Sequence, residues 1–449
     1  MKNITITTLV FFLLVALTHA ANQPPDGWQS TAPREEIRPR FAYEPHGGPD
    51  RKGAFVIRVD AREGLAGWWS KTFAVQGGQS YRFSAMRRCE KVTNPRRSVL
   101  ARLLWLDAKG QPAMRDLPES ATLIPGRAPA CEPEYPTDHA VGTQSWVEVA
   151  DTYRTPFNAV SAVVELHLRW APPHSKVEWG QVSFTETPPL PPRLARLATV
   201  HFFPRGGQTP EGNCRLLVPL IEDAARQRAD LVVLGETITR AGTELSFEDS
   251  AEPVPGPSTR FFGALAKKLD LYIVVPVVER EGHLLYNTAA LVGPDGTILG
   301  KYRKAVLPGG EWDRGLQPGA EYPVFQTRFG KVGMMICFDG FFPEVARQLA
   351  FNGTEVIAFP VWGCNPRLAA ARAIENHVYV VSSTYATPDM NWMVSGIFDH
   401  EGNLLAQTDK QGTVAVAEVD LNQRIHWPWL GDFKAEWPRH SPAVDTPGK

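Results

Sequence analysis

The chain has 449 residues, of which 43% are hydrophobic, and this is enough for two or three domains with buried cores. Lys and Arg number 47 against 48 Asp and Glu, so the formal net charge is -1. No long run of one charge occurs, which argues against nucleic acid or an anionic membrane surface as a partner. We therefore expect the partners to be small molecules.

Residues 1–20 are typical of a secretory signal peptide. Lys2 gives the positive start, residues 9–17 the apolar region, and Thr18 to Ala20 a small-residue cleavage site. A buried first helix is the alternative interpretation. No later apolar run reaches the roughly 18 residues that a membrane-spanning helix needs. The sequence thus predicts a secreted or periplasmic protein without a membrane span.

Residues 24–187 alternate short β-type runs with turns and lack helical periodicity. This pattern predicts an all-β sandwich, and it loosely resembles the jelly-roll type of carbohydrate-binding accessory module. Tryptophans in this region could stack on sugar rings or pack in the core, so a glycan is one candidate partner. The predicted strands are 54–59, 79–84, 100–106, 146–150, 159–170 and 177–184.

The segment 188–193 is proline-rich and reads as a semi-rigid linker. Beyond it, residues 194–430 alternate strands with helices, which predicts an α/β domain. Residues 431–449 form a tail without a predicted element. The predicted helices are 211–228, 258–269 and 367–376, and the predicted strands are 198–203, 231–234, 271–278, 287–292, 297–302, 355–359, 379–383, 393–398 and 413–419.

The chain contains five cysteines, an odd number for an exported protein. Cys89 and Cys131 both fall in the β region, and we expect a disulfide between them, although their side chains could equally point apart. The cysteine spacings show no zinc-binding pattern. We expect no metal and no organic cofactor.

Cys337 lies on a turn between an apolar run at 332–336, read as a strand, and an apolar helical pattern from Pro343 that stops at Gly353. A side chain at such a turn faces the positive end of the helix, which we expect to lower the thiol pKa and to create a nucleophile. The alternative is that Cys337 is a small core residue.

Two further charged residues occupy comparable positions. Glu236 follows the apolar run LVVLG, and Lys304 closes KYRK after a predicted hairpin. Taken singly, Glu236 could be a helix cap or a salt-bridge partner, and Lys304 could belong to a solvated basic cluster. Ligands gather at the carboxyl edge of open α/β sheets, so the three side chains can converge on one pocket. A carboxylate base, an ammonium group and a thiol are together suited to acyl transfer.

These motifs resemble the nitrilase superfamily of carbon-nitrogen hydrolases over about residues 195–425. The similarity rests on LVVLGE with Glu236, KYRKAVLPGGE with Lys304 and GMMICFDGFFPEVARQLAFNG with Cys337, and continues through 371–383 and 395–408. The resemblance implies an αββα sandwich that pairs through helices of a neighbouring subunit, hence a homo-oligomer.

The resemblance also implies a role for each residue. Glu236 would be the base, Lys304 the oxyanion stabiliser and Cys337 the nucleophile. The backbone N–H of Phe338 would help to hold the oxyanion, and Glu311 would match a second glutamate that orients the site. The chain departs from the family at Val306, where His is frequent, and at 340–341, where Gly-Phe replaces the more frequent Leu-Arg. The substrate pocket is therefore expected to differ from that of well-known members.

The leading hypothesis is an exported hydrolase that cleaves a nonpeptide amide or N-carbamoyl bond through a cysteine thioester. A second hypothesis for an enzyme is an N-acyltransferase that uses the same thioester. A catalytically inactive glycan-binding or scaffold protein is the alternative of a different class, and the intact Glu236, Lys304 and Cys337 argue against it.

Overall fold

The computed structural model describes residues 23–116, 130–140, 145–427 and 430–440, so the expected signal peptide at 1–20 lies outside the described residues. The chain divides into two compact units. The first unit contains Met1–Pro191 and Arg424–Lys449, and the second contains Pro192–Gln423. The division at Pro191 falls inside the proline-rich segment, whereas the second unit ends at 423 and residues 424–430 group with the first.

The first unit contains two antiparallel sheets, as its alternating β-type runs predict. One sheet has four strands in the order Gln29–Thr31, Ala66–Ala74, Ser161–Arg169 and Val99–Leu106. The other has six strands in the order Arg40–Glu44, Ala54–Arg58, Lys176–Thr187, Ser80–Glu90, Val147–Arg154 and Thr137–Ala140. A short helix, Pro95–Ser98, precedes one strand.

Apolar side chains from both sheets form one core, in which Trp105 and Trp179 are buried together with Phe83. Packing therefore explains these two tryptophans. Trp170 differs, since 52% of it is exposed, and the guanidinium groups of Arg169 and Arg97 lie over its ring at 4.2 and 5.5 Å.

The expected disulfide between Cys89 and Cys131 is absent, because both are free thiols. Each packs separately against the sandwich core. Burial raises the pKa of Cys89 and raises that of Cys131 to about 12. Both thiols are consequently protonated at neutral pH, which disfavours the thiolate that disulfide formation requires.

The C-terminal segment of the first unit contains elements that the sequence did not predict. The strands His426–Trp427 and Gly431–Asp432 pair with each other, and the helix Phe433–His440 follows. Arg424 forms ion pairs with Asp432 and Asp151, which ties this segment to the strand Val147–Arg154.

The second unit has two mixed six-stranded sheets, as the α/β pattern predicts. The first sheet has the order Ile298–Arg303, Leu284–Val292, Tyr272–Glu281, Leu231–Val233, Leu194–His201 and Thr413–Asp420. The second has the order Val324–Gln326, Lys331–Met334, Val356–Pro360, Tyr379–Ser383, Ser395–Phe398 and Leu404–Thr408. The principal helices are Pro210–Arg226, Pro257–Leu269, Pro343–Phe351 and Leu368–Asn376.

The two sheets of the second unit pack on each other through buried polar contacts. Thr199 donates a hydrogen bond of 2.6 Å to the carbonyl of Ser382, and Ser383 donates one of 2.6 Å to that of Val200. The helices Pro210–Arg226 and Pro257–Leu269 bury apolar faces against the first sheet. The predicted αββα sandwich and the all-β region before it are thus confirmed.

Candidate active site

Glu236 lies just beyond the carboxyl end of the buried strand Leu231–Val233. Only 4% of its surface is exposed. The next residue, Thr237, has a φ of 43°, which is rare for a residue with a branched side chain. The chain turns sharply here, so Glu236 lies at the edge where a parallel sheet presents side chains to a ligand.

Three buried side chains, those of Glu236, Glu311 and Asn287, surround Lys304. Its Nζ lies 2.8 Å from Oε1 of Glu236 and 2.9 Å from Oε1 of Glu311. Asn287 donates from Nδ2 to the same two oxygens, at 2.9 and 3.0 Å. Lys304 and Asn287 thus each donate to both carboxylates, and this fixes the ammonium group between Glu236 and Glu311.

The charges of this group are set by opposing effects. Burial disfavours the charged form of Lys304, but the carboxylates of Glu236 and Glu311 outweigh it and raise the Lys304 pKa above its usual range. Burial also raises the pKa of Glu311, with Lys304 acting against it. Lys304 therefore stays an ammonium ion at every pH at which the protein would work.

Cys337 begins the short 3-10 helix Cys337–Phe341, directly after the strand Lys331–Met334 and two buried residues. Its φ is 42°, a left-handed conformation that costs roughly 1 to 3 kcal/mol when a non-glycine residue adopts it. The Sγ atom lies 3.2 Å from the carbonyl oxygen of Gly363. The local fold thus holds the thiol in one orientation.

The thiol pKa of Cys337 is raised well above its ordinary value, which corrects the lowering expected from the helix terminus. Burial is the main cause, the hydrogen-bonded carboxylate of Glu236 adds to it, and Lys304 opposes both. Cys337 consequently rests as a neutral thiol, and it needs a base at the moment of reaction. The sequence could not show this, because the burial of the thiol depends on the folded surroundings.

Asp339 connects the Cys337 turn to the segment that carries Lys304. Its Oδ2 accepts hydrogen bonds from the Tyr302 hydroxyl at 2.7 Å and from the Ile336 N–H at 2.9 Å. Its Oδ1 accepts from the Val306 N–H at 2.8 Å. One buried carboxylate therefore fixes the residues flanking both Cys337 and Lys304.

The chain matches a family model described as carbon-nitrogen hydrolase over residues 204–428. A nitrilase from Pyrococcus abyssi is 38% identical over 236 residues, which are 48% of this chain and 88% of that protein. The omega-amidase NIT2 of Mus musculus is 31% identical over 227 residues, 45% of this chain and 81% of that protein. The chain belongs to the carbon-nitrogen hydrolase family. It is a hydrolase of carbon–nitrogen bonds other than peptide bonds.

Solved structures of the nitrilase superfamily are also similar to this hydrolase. A carbon-nitrogen hydrolase from Helicobacter pylori G27 covers 57% of the chain and 97% of its own length, with 22% identity and a TM-score of 0.46.

The sequence predicted four side chains and one backbone N–H group for this site. The structure of this carbon-nitrogen hydrolase brings all four side chains into one network: Glu236, Lys304, Glu311 and Cys337. Phe338 is the second residue of the helix Cys337–Phe341, so its N–H belongs to the first turn, where backbone donors lack intrahelical acceptors.

Sequence reasoning missed several residues that position Glu236 in the hydrolase. The Trp362 N–H donates to Oε2 of Glu236 at 3.0 Å, and the Tyr385 hydroxyl donates to the Glu236 carbonyl at 3.0 Å. Asn287 carried a usable signal, because an amide inside the apolar run LLYNTAALV is unusual. Trp362 had none, because its contact is made by the backbone.

The arrangement can generate a thiolate and stabilise an oxyanion. Among the residues that the structure describes, no cluster of His, Cys, Asp and Glu is suited to a metal ion. Within the same residues, no helix is long and apolar enough to cross a membrane.

Proposed function

We propose that this hydrolase cleaves a nonpeptide amide or N-carbamoyl bond through a thioester on Cys337. The observation that carries the proposal is the buried contact of Glu236 with both Lys304 and the Cys337 thiol. Glu236 takes the Sγ proton as Sγ bonds to the substrate carbonyl carbon, and the carbonyl oxygen becomes an oxyanion.

Lys304 and the Phe338 N–H are proposed to hold this oxyanion. A fixed ammonium group in a buried site stabilises developing negative charge without reorganisation, since Glu236 and Glu311 already position it. When the tetrahedral intermediate collapses, the C–N bond breaks, and protonated Glu236 gives its proton to the leaving amine. The acyl group remains on Sγ as a thioester.

Water then completes the cycle. Glu236 takes a proton from the attacking water, and the C–S bond breaks as the acid leaves. Glu236 then gives this proton to Sγ, which restores the thiol of Cys337. Glu311 is proposed to act indirectly: it shares Lys304 and Asn287 with Glu236, so it keeps both groups in place. No electron transfer occurs, and the reaction consumes only amide and water.

A substrate panel tests the proposal. Purified protein is incubated with small amides, N-carbamoyl compounds and nitriles, and the release of ammonia or amine is measured. We expect turnover of at least one amide or carbamoyl compound, lost in Cys337→Ala and retained in the control Cys364→Ala. Turnover of nitriles alone, or full activity of Cys337→Ala, would contradict the proposal. Transfer to an added amine in preference to water would favour the acyltransferase instead.

We propose further that the hydrolase is exported and pairs with a second copy. Export is supported by the signal-like composition of residues 1–20. Pairing is supported by Phe341, Phe342 and Phe351, which are 44%, 38% and 36% exposed on the segment after Cys337. N-terminal sequencing of the exported protein and sedimentation analysis test the two points. A glycan partner of the first unit stays a prediction.

A further inference from the structure

A small cavity in the first unit has no part in the proposed reaction. It measures about 200 Å³ and lies between residues 96–100, 135–138 and 149 of the sandwich and the helix Phe433–His440. Pockets for drug-sized ligands measure roughly 300 to 1,000 Å³. An occupant of this cavity would therefore be smaller than such ligands.

The cavity lining has an excess of positive charge. Arg96, Lys434 and Arg439 contribute cationic groups, and Asp138 contributes the one carboxylate among the lining residues. Asp138 already forms an ion pair with Arg87, which is 3% exposed. Its charge is thus compensated by a cation outside the lining, and three cationic side chains remain in the wall that faces the cavity.

Arg439 is the buried member of this wall, with 7% of its surface exposed. Its guanidinium lies 3.2 Å from the centre of the Tyr135 ring, and its Nη2 lies 2.5 Å from Oε2 of Glu436. The same oxygen lies 2.8 Å from Nε2 of His440, so two side chains share one carboxylate. The Nε and Nη1 donors of Arg439 have no acceptor in the described part of the chain.

A second arginine increases the local charge. Burial, and then the neighbouring Arg439, lower the pKa of Arg169. The Nε of Arg169 also has no acceptor among the residues described. A buried donor without an acceptor destabilises the folded protein. An anion in the cavity would satisfy donors of Arg439 and would reduce the repulsion between the two guanidinium groups.

Most of the remaining lining is apolar. Val99, Leu100 and Val149 are buried residues that border the cavity, together with the ring of Tyr135. A ligand that matched this lining would combine one anionic group with a compact apolar body. We propose that the cavity binds a small organic anion, with its carboxylate toward Arg439 and its apolar part against Val99 and Val149. This would be a binding site separate from the hydrolytic one.

Calorimetry on the full-length protein tests the site with benzoate as the probe. Benzoate has one carboxylate on a compact apolar ring, and benzyl alcohol is its neutral counterpart. We expect saturable binding of benzoate and binding of benzyl alcohol at least tenfold weaker. Absence of saturable benzoate binding, or equal binding of the two compounds, would overturn the proposal.

Substitutions then locate the bound anion, because benzoate also resembles a carboxylic acid product that the hydrolytic site could accept. The double variant Arg96→Glu and Lys434→Glu changes two exposed side chains of the lining, and we expect it to weaken benzoate binding at least tenfold. Arg96→Ala alone should weaken it less. The control Lys109→Glu changes an exposed turn residue outside the lining and should bind like the parent.

The proposal is overturned if both lining variants, shown to be folded by thermal denaturation, bind benzoate as the parent does. It is equally overturned if Lys109→Glu weakens binding as much as the double variant, since the effect would then follow from net charge alone. Amide hydrolysis measured on the same proteins is expected to remain unchanged.

Discussion

At the scale of single residues, the ammonium group of Lys304 holds the site together. Removing it in Lys304→Met leaves Glu236 and Glu311 buried without a cation, and breaking a buried ion pair in this way costs roughly 3 to 5 kcal/mol of stability. Loss of one oxyanion donor lowers kcat by roughly 100- to 1,000-fold in a hydrolase. We therefore expect Lys304→Met to lose stability, measured by urea unfolding, and to have a lower kcat.

Lys301→Met is the matched control for Lys304→Met. Lys301 pairs with Glu279, which Arg303 also contacts at 2.7 Å, so Glu279 keeps a cation when Lys301 is changed. The control should stay within a few-fold of the parent in activity. If Lys304→Met kept activity within tenfold of the parent, the proposed oxyanion role would be wrong.

The raised thiol pKa of Cys337 predicts how its alkylation depends on pH. Burial and Glu236 favour the neutral thiol, so the reactive thiolate is a small fraction at neutral pH. The rate of alkylation by iodoacetamide should rise about tenfold per pH unit between pH 7 and 9, followed by mass spectrometry of the Cys337 peptide. A plateau that begins below pH 7 would show a lowered pKa instead.

The site residues differ in how far sequence could reveal them. Glu236 and Cys337 each follow an apolar run, and Lys304 closes a predicted hairpin, so position along the chain was enough to place them at strand ends. Asn287 and Trp362 hold Glu236 through contacts between segments far apart in sequence. The direction of the Cys337 pKa shift depends on the balance of burial and two charges, which no local pattern contains.

At the scale of elements, Asp339 joins the Cys337 helix to the strand end at Lys304. Burial raises its pKa to about 6 from an ordinary value of 3.8. The folded state therefore holds the proton more tightly than the unfolded state. The resulting stabilisation is fully present below pH 3.8, is lost as the pH rises through 6, and amounts to about 3 kcal/mol.

Asp339→Asn should abolish this dependence. The free energy of unfolding of the parent, minus that of the variant, should be larger at pH 3.5 than at pH 7.5, as measured by urea unfolding. The variant should also lose activity, because an amide cannot accept from all three donors on Asp339. Asp50→Asn, in an exposed turn, is the control. An unchanged difference between the two pH values would contradict the assignment.

A fully buried strand was predicted, whereas a largely exposed edge strand was missed. Tyr379–Ser383 is buried throughout, and its apolar run predicted it with the same ends. The edge strand Leu404–Thr408 is largely exposed, so it lacks a continuous apolar run. The helix Phe433–His440 contains a proline and alternates polar with aromatic residues, which hides its period.

At the scale of the whole molecule, the proposed catalytic residues all belong to the second unit, Pro192–Gln423. A protein limited to residues 192–423 keeps Glu236, Lys304, Glu311 and Cys337, together with both mixed sheets. We expect it to fold and to hydrolyse a small soluble amide at a rate within tenfold of the full chain. A fragment that folds, as judged by circular dichroism, and yet cleaves nothing that the full chain cleaves would contradict this.

The sequence pattern indicated two units, because repeated strands and turns are replaced by alternating strands and helices after the proline-rich segment. It could not show that Arg424–Lys449 belongs to the first unit, since that grouping depends on contacts such as Arg424 with Asp151. Local patterns identify elements, whereas the return of a chain end to an earlier domain is decided by tertiary contacts.

The measurement that tests the central claim most directly is mass spectrometry of protein quenched in acid during turnover of an amide. The account predicts an added mass equal to the acyl group on the peptide that contains Cys337, and no such addition in Cys337→Ala. Cys364 and Cys214 are buried thiols of the same unit and serve as internal controls. An acyl group found only on Cys364 or Cys214 would contradict the mechanism.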